Sequence, residues 1–155
     1  MYSVRLWVVR HARTFERIYN LFEPVLVKLH PLWNKLGYQR VEKPMSKVEQ
    51  ACKSLLFDCK MCGQCELSST GMSCSMNCPK NLRNGPCGGV RLNGNCEVYE
   101  DKRCVWVEAW KGSQQMQQND RIFAVLKPVD FSRQGSSSWL KVVRQAKEST
   151  EGKTQ

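Results

Sequence analysis

Eight cysteines between residues 59 and 104 carry the chemistry that this sequence offers. They follow the spacing Cys59-x2-Cys62-x2-Cys65-x8-Cys74-x3-Cys78-Pro79-x7-Cys87-x8-Cys96-x7-Cys104. Three thiols at successive x2 intervals lie in one short loop, so their sulfurs can converge on one centre that a remote fourth thiol completes. Cys74-x3-Cys78-Pro79 has the form of the end of a bacterial ferredoxin run, here separated from the triple by an insert. The pattern predicts a [4Fe–4S] cluster held by thiolates. Gly63, Gly88 and Gly89 stand beside ligand candidates, where backbone N–H groups would approach the cluster sulfurs.

Zinc is the alternative. Zinc sites commonly draw two ligands from each of two separated C-x2-C pairs. No second pair follows the triple, and the two histidines, His11 and His30, lie far upstream. The triple Cys59, Cys62 and Cys65 therefore favours iron–sulfur. For Cys74, Cys78, Cys87, Cys96 and Cys104 the two chemistries stand level, and eight thiols suit one or two four-ligand centres. Cys52, the ninth, falls on the apolar side of a helix pattern and is expected to pack as a small buried hydrophobe.

The rest of the composition narrows the classes. The chain has 155 residues, about one domain's worth, and no uncharged apolar run approaches the ~18 residues of a transmembrane helix. Arginines interrupt the N-terminal segment every few residues, unlike a secretory signal. A reducing, cytoplasmic setting is thus expected, in which thiols bind metal rather than pair. The odd cysteine count fits complete disulfide pairing poorly. No Ser/His/Asp set or phosphate-binding loop is present, so the chain is expected to be a non-catalytic subunit. A net charge of +10 raises nucleic acid as a partner. Two tetrathiolate centres at −2 each would lower it to about +6. Half of the excess is concentrated in residues 1–58, with ten basic against five acidic side chains, which favours a basic docking arm over a nucleic-acid binder.

The elements that must position the thiols are read from periodicity. Val4, Val8, Ala12, Phe15, Tyr19 and Phe22 recur at helical spacing and form one face, with a break expected at Pro24. A second apolar set, Val25, Leu26, Leu29, Leu32, Trp33 and Leu36, is closed by Gly37, with Pro31 as a kink. Ser46-Lys47-Val48-Glu49 reads as a capping box that starts a third helix. Val48, Cys52, Leu55 and Leu56 form its apolar face, and it leads into Cys59. The cysteine segment should be mostly loop. One short β-hairpin is expected over 89–99, with Asn93-Gly94 as its turn. Residues 104–110 read as a strand or short helix, 113–119 as a linker, and the last dozen residues as frayed. The expectation is a small α+β fold in three parts: a basic helical arm at 1–45, a cysteine-rich domain at 46–112, and a linker with an extended C-terminal docking tail at 113–155.

At the cysteines a family resemblance becomes specific. The segments Phe57-Asp58-Cys59-Lys60-Met61-Cys62-Gly63-Gln64-Cys65, Ser75-Met76-Asn77-Cys78-Pro79-Lys80, Leu82-Arg83-Asn84-Gly85-Pro86-Cys87-Gly88-Gly89, Gly94-Asn95-Cys96-Glu97-Val98 and Cys104-Val105-Trp106 resemble the methylenetetrahydrofolate reductase C-terminal domain family. That family includes the small subunit of two-subunit bacterial methylenetetrahydrofolate reductases. The resemblance implies a flavin-containing (β/α)8-barrel partner subunit that reduces methylenetetrahydrofolate, and an electron-donor protein feeding the complex. It implies that Cys59, Cys62, Cys65, Cys74, Cys78, Cys87, Cys96 and Cys104 are the ligands here, with flavin and folate held by the partner.

Overall fold

The computed structural model describes the backbone of residues 1–151 and the side chains of residues 1–148. Six α-helices run in the order α1 (Tyr2–Arg10), α2 (Ala12–Lys28), α3 (His30–Leu36), α4 (Tyr38–Phe57), α5 (Val105–Ser113) and α6 (Ser138–Glu151). Short 3-10 turns at Ser75–Asn77, Asn119–Phe123 and Phe131–Arg133 punctuate the connections. Helix α1 packs on α4 and α5, while α6 packs on α2 and α4. The cysteine segment threads between α4 and α5.

The N-terminal stripe does what its periodicity predicts. Val8 and Ala12 are fully buried, and with Phe57, Leu67, Met72 and Met116 they form the main core, flanked by Val4 and Phe15. Pro24 sits inside α2 without ending it. The chain turns instead at His11, between α1 and α2, and at Leu29, where Pro31 opens the first turn of α3. Gly37 closes α3 at φ +81°.

The expected α+β fold is wrong: among the described residues the regular structure is helical, with no sheet and a single isolated bridge, Asn95 with Arg103. The hairpin fails for a traceable reason. A turn does form, with the Gly94 N–H donating to the Arg91 carbonyl at 2.7 Å and Gly94 at φ +81°. The Arg91 N–H also reaches the Asn95 carbonyl (3.0 Å), but the pairing stops there and the backbone beyond it pairs elsewhere. The Cys96 N–H donates to the Lys102 carbonyl (2.9 Å) and the Cys104 N–H to that of Gly94 (3.0 Å). Groups engaged with 102–104 are not free to build a ladder with 89–92.

Three other expectations shift. Helix α4 starts at Tyr38, not at Ser46, and runs through Pro44; the Ser46 hydroxyl donates back to the Lys43 carbonyl (3.0 Å) rather than capping. The expected linker contributes Met116 to the core, and its Gln117 and Gln118 N–H groups donate to the buried Glu16 carboxylate at 2.7 and 3.1 Å. The C-terminal segment is not extended: α6 carries it to residue 151, and the rest of the stretch read as frayed lies outside the described residues. Among the described residues no helix is long and apolar enough to cross a membrane.

Candidate metal centres

The Cys59–Cys65 loop is built from residues in the left-handed region. Asp58 ends α4 at φ +52°, Met61 follows at +47° and Gly63 at +68°. This tight winding folds the loop back under the C-terminus of α4. The Met61 N–H donates to Cys59 Sγ at 3.3 Å, a backbone donor of the kind that supports a thiolate. Gly63 is required by a close approach of a different kind from the one expected: a Cβ there would lie 2.4 Å from the Arg133 carbonyl. Gly89 likewise makes room for the Glu97 carboxylate, while Gly88 faces open space.

All nine cysteines are free thiols. Eight of them divide by position into two sets. Cys59, Cys62, Cys65 and Cys74 line one tight cavity, with space for about one water. Cys78, Cys87, Cys96 and Cys104 line a second cavity of about 330 Å³. The 3-10 turn Ser75–Asn77 separates Cys74 from Cys78, and Met76 lines both cavities. The two sets are therefore neighbours across a thin wall. Among the described residues, no three Cys, His, Asp or Glu side chains stand close enough together to enclose a metal ion; the thiols line the cavity walls.

The first cavity has a distinctive electrostatic wall. Glu49 and Lys53 of α4 line it, with Lys53 Nζ 2.7 Å from Glu49 Oε1 and 2.8 Å from Ser138 Oγ. Ser137 Oγ donates to Glu49 Oε2 at 2.6 Å and the Trp139 N–H to the same oxygen at 3.3 Å. Burial works against both charges, yet Glu49 stays below the ordinary carboxylate range, since the Lys53 charge and the hydrogen bonds from Lys53, Ser137 and Ser138 outweigh it. Lys53 stays charged well above the usual range, with Cys65 and Glu49 as its main attractions.

These surroundings split the thiols. Cys59 is drawn down to about 6, chiefly by a hydrogen bond from Cys74, against burial, with further help from the Met61 N–H and Lys53. Cys74 moves up in return, because it supplies that hydrogen bond and is buried beside Cys59. The two titrate as a pair, one proton leaving early and the other late. Cys65 is exposed in area, but enough protein surrounds it to push its thiol up; the Lys53 charge is the main opposing influence. Nearby Tyr19 is raised to about 12 by burial and by the negative charge of Glu23 and Cys65.

The second cavity is more open and polar. Cys104 precedes α5 and is buried with Trp106 and Ala109. The Trp106 indole N–H donates to the Leu82 carbonyl at 3.1 Å, which holds the 82–87 loop against α5. Cys87 Sγ lies 3.7 Å from Glu97, which also pairs with Lys80. Arg5 reaches this cavity from α1 although only 7% of its surface is exposed, its guanidinium over the Tyr2 ring.

Sequence reasoning singled out the eight thiols that line the two cavities but not Glu49, Lys53, Ser137, Ser138 and Arg5 as their neighbours. The sequence reads Glu49 as part of a capping box and Arg5 as part of the basic arm, and nothing local marks Lys53. Cys52 is the reverse error. It is exposed, as are Val48 and Leu55, because the charged pair, not the apolar face, turns inward.

In residue type, though not in spacing, the donor set suits a thiolate-bound metal group. Four thiols per cavity, a backbone N–H on Cys59 and a buried cation on each wall all suit a group of net negative charge. Residues 38–132, which span α4, all eight of these cysteines and α5, match the family model described as the C terminal of methylene-tetrahydrofolate reductase. No curated protein and no solved structure matches the chain. With that match covering more than half of its length, the chain belongs to the methylene-tetrahydrofolate reductase C-terminal family.

Proposed function

We propose that this chain is a non-catalytic, electron-transferring iron–sulfur subunit of a methylenetetrahydrofolate reductase-type complex. The observation that carries the reading is the division of eight thiols into two adjacent sets of four. Cys59, Cys62, Cys65 and Cys74 would hold one group, and Cys78, Cys87, Cys96 and Cys104 the other. A [4Fe–4S] cluster at each would supply one-electron transfer. The chain's own residues would supply the ligands, leave the first cavity room for about one water and keep the two centres close. Four residue steps separate Cys74 from Cys78, so their Cα atoms lie within about 14 Å of each other.

The partner in this reading is the flavin-bearing (β/α)8-barrel subunit, with flavin and folate bound there. Ile18, Leu21, Val25, Leu29, Leu32 and Leu36 support docking through the basic helical arm, as they form an exposed apolar row along α2 and α3 at spacings of three and four. The C-terminal segment would add to this surface. The cytoplasm suits such a chain, because its thiols stay reduced there.

The tightness of the first cavity favours a second reading, in which that set holds a single zinc ion and serves only to fix the fold. Anaerobic co-purification with the catalytic subunit, followed by iron, labile sulfide and zinc analysis, decides among them. Two cubanes per chain support the proposal, and one cubane with one zinc moves the first set to the second reading. Zinc alone at both centres removes electron transfer.

A further inference from the structure

Lys53 is an ammonium with only 5% of its surface exposed, set in the wall of the first cavity rather than at the protein surface. An ammonium is placed there at a steep desolvation cost unless charge and hydrogen bonds offset it. Glu49 provides one opposite charge, but its carboxylate is shared. It also accepts from Ser137 Oγ, Ser138 Oγ and the Trp139 N–H, all at the start of α6. A helix N-terminus carries partial positive charge and attracts a carboxylate. The negative end of the pair is thus taken up by α6. The positive end is held by Ser138 Oγ at 2.8 Å and lies over the Trp139 ring at 5.3 Å.

The wall also carries four thiols and a second carboxylate, Glu66, which is paired with Arg83 at 3.8 Å. Cys59, Cys62, Cys65 and Cys74 line the same tight cavity as the Lys53 ammonium. Four thiolates around a doubly positive zinc ion or cubane core leave a net −2 in either case.

We propose that Lys53 is the fixed counter-charge of the first thiolate centre, aimed at it by Glu49 and Ser138 from the start of the C-terminal helix. The proposal rests on the reading of Cys59, Cys62, Cys65 and Cys74 as one metal centre, and it holds for either metal. Lys53 acts through the ligands and is a positioning residue. Its role differs from that of a structural ion pair in one respect: the ammonium matters to the metal even when Glu49 is uncharged.

Metal release from the anaerobically purified full-length chain into excess EDTA tests this. Lys53→Met should release the metal of one centre about ten- to a hundredfold faster than wild type, the usual scale for losing a supporting group around metal ligands. Lys53→Arg should stay near wild type. Glu49→Gln keeps the ammonium and leaves an amide oxygen that accepts from it, so Lys53 stays aimed and release should be no faster than wild type. The double variant K53M/E49Q leaves no stranded carboxylate, so it keeps the test intact if K53M alone fails to fold. It should release as fast as K53M. Wild-type release from the double variant overturns the proposal, as does E49Q matching K53M, the behaviour of a purely structural pair. A wild-type chain that purifies without metal overturns the centre itself and this inference with it, and its metal content identifies that outcome.

Discussion

Gly71→Ala should destabilise the protein by about 2–5 kcal/mol, and the reason lies in where this loop meets α5. Gly71 sits at φ +57°, and a Cβ built there falls 2.3 Å from the Ala109 carbonyl oxygen and 2.4 Å from the Ser113 nitrogen. Both are helix backbone atoms, which do not move aside as a side-chain tip would. The left-handed conformation costs an alanine about 1–2 kcal/mol, and overpacking a close contact adds about 1–3 kcal/mol. Gly135→Ala is the matched control, since Gly135 has φ +82° but nothing within 4 Å of its Cβ position. It should lose only the conformational share, about 1–2 kcal/mol. Urea unfolding followed by tryptophan fluorescence, at equal metal load, reads the difference as a shift in midpoint at constant slope. Equal losses in the two variants would refute the reasoning, for they would mean that the loop between Cys65 and Cys74 does not press on α5. Gly112 is the other half of the contact, its own Cβ position lying 2.1 Å from the Gly71 carbonyl oxygen.

The remaining expectations test the charged groups. Glu49 titrates below its ordinary value of 4.5 in the folded chain, so its stabilising share is full above that value and is lost as pH falls through the lowered one. At neutral pH, amide exchange over 137–143 should be slower in wild type than in Glu49→Gln, and the gap should close in acid. In the metal-free chain, thiolate absorbance should rise with a step near pH 6, where Cys59 ionises, and Cys59→Ser should remove that step while Cys52→Ser leaves it. Because the Cys59 value is lowered on folding, its contribution to stability is present above the ordinary thiol range and fades as pH drops through about 6. Glu16→Ala strands the N–H groups of Gln117 and Gln118 beside α2, and urea unfolding should show a loss of about 1.5–3 kcal/mol.

What the sequence made legible was local. The cysteine spacing and the Val8–Ala12 stripe concern neighbours within a turn or a short loop, and both can be read without knowing the fold. The Cys59–Cys65 loop takes its shape with Met61 at positive φ, as Met72 adopts further along, a conformation that bulky side chains take rarely and that no local pattern marks. The hairpin was misread because Asn93-Gly94 specifies a turn but not the strand pairing on either side of it. Residues 102–104 supplied the competing hydrogen bonds from outside the window. The capping motif failed in the same way. Glu49 has partners 88 to 90 residues away, at Ser137, Ser138 and Trp139, and no local pattern marks them.

The wall between the two thiol sets explains why these long-range contacts sit where they do. Met76 faces both cavities, and the turn that carries it is short. A small rotation of that turn would move Cys74 and Cys78 together and disturb both sets. The structure restrains each side from a separate helix. On one side Ser73, adjoining Cys74, donates its hydroxyl to the Val105 carbonyl at 3.1 Å, at the start of α5. On the other, the Asn77 amide, adjoining Cys78, donates to the Phe57 carbonyl at 3.0 Å, at the end of α4. The cysteine segment has almost no secondary structure of its own, so its geometry is borrowed from α4 and α5. On the proposed reading, that arrangement would let a loop-rich segment hold two centres at a constant separation, which a relay between them would require.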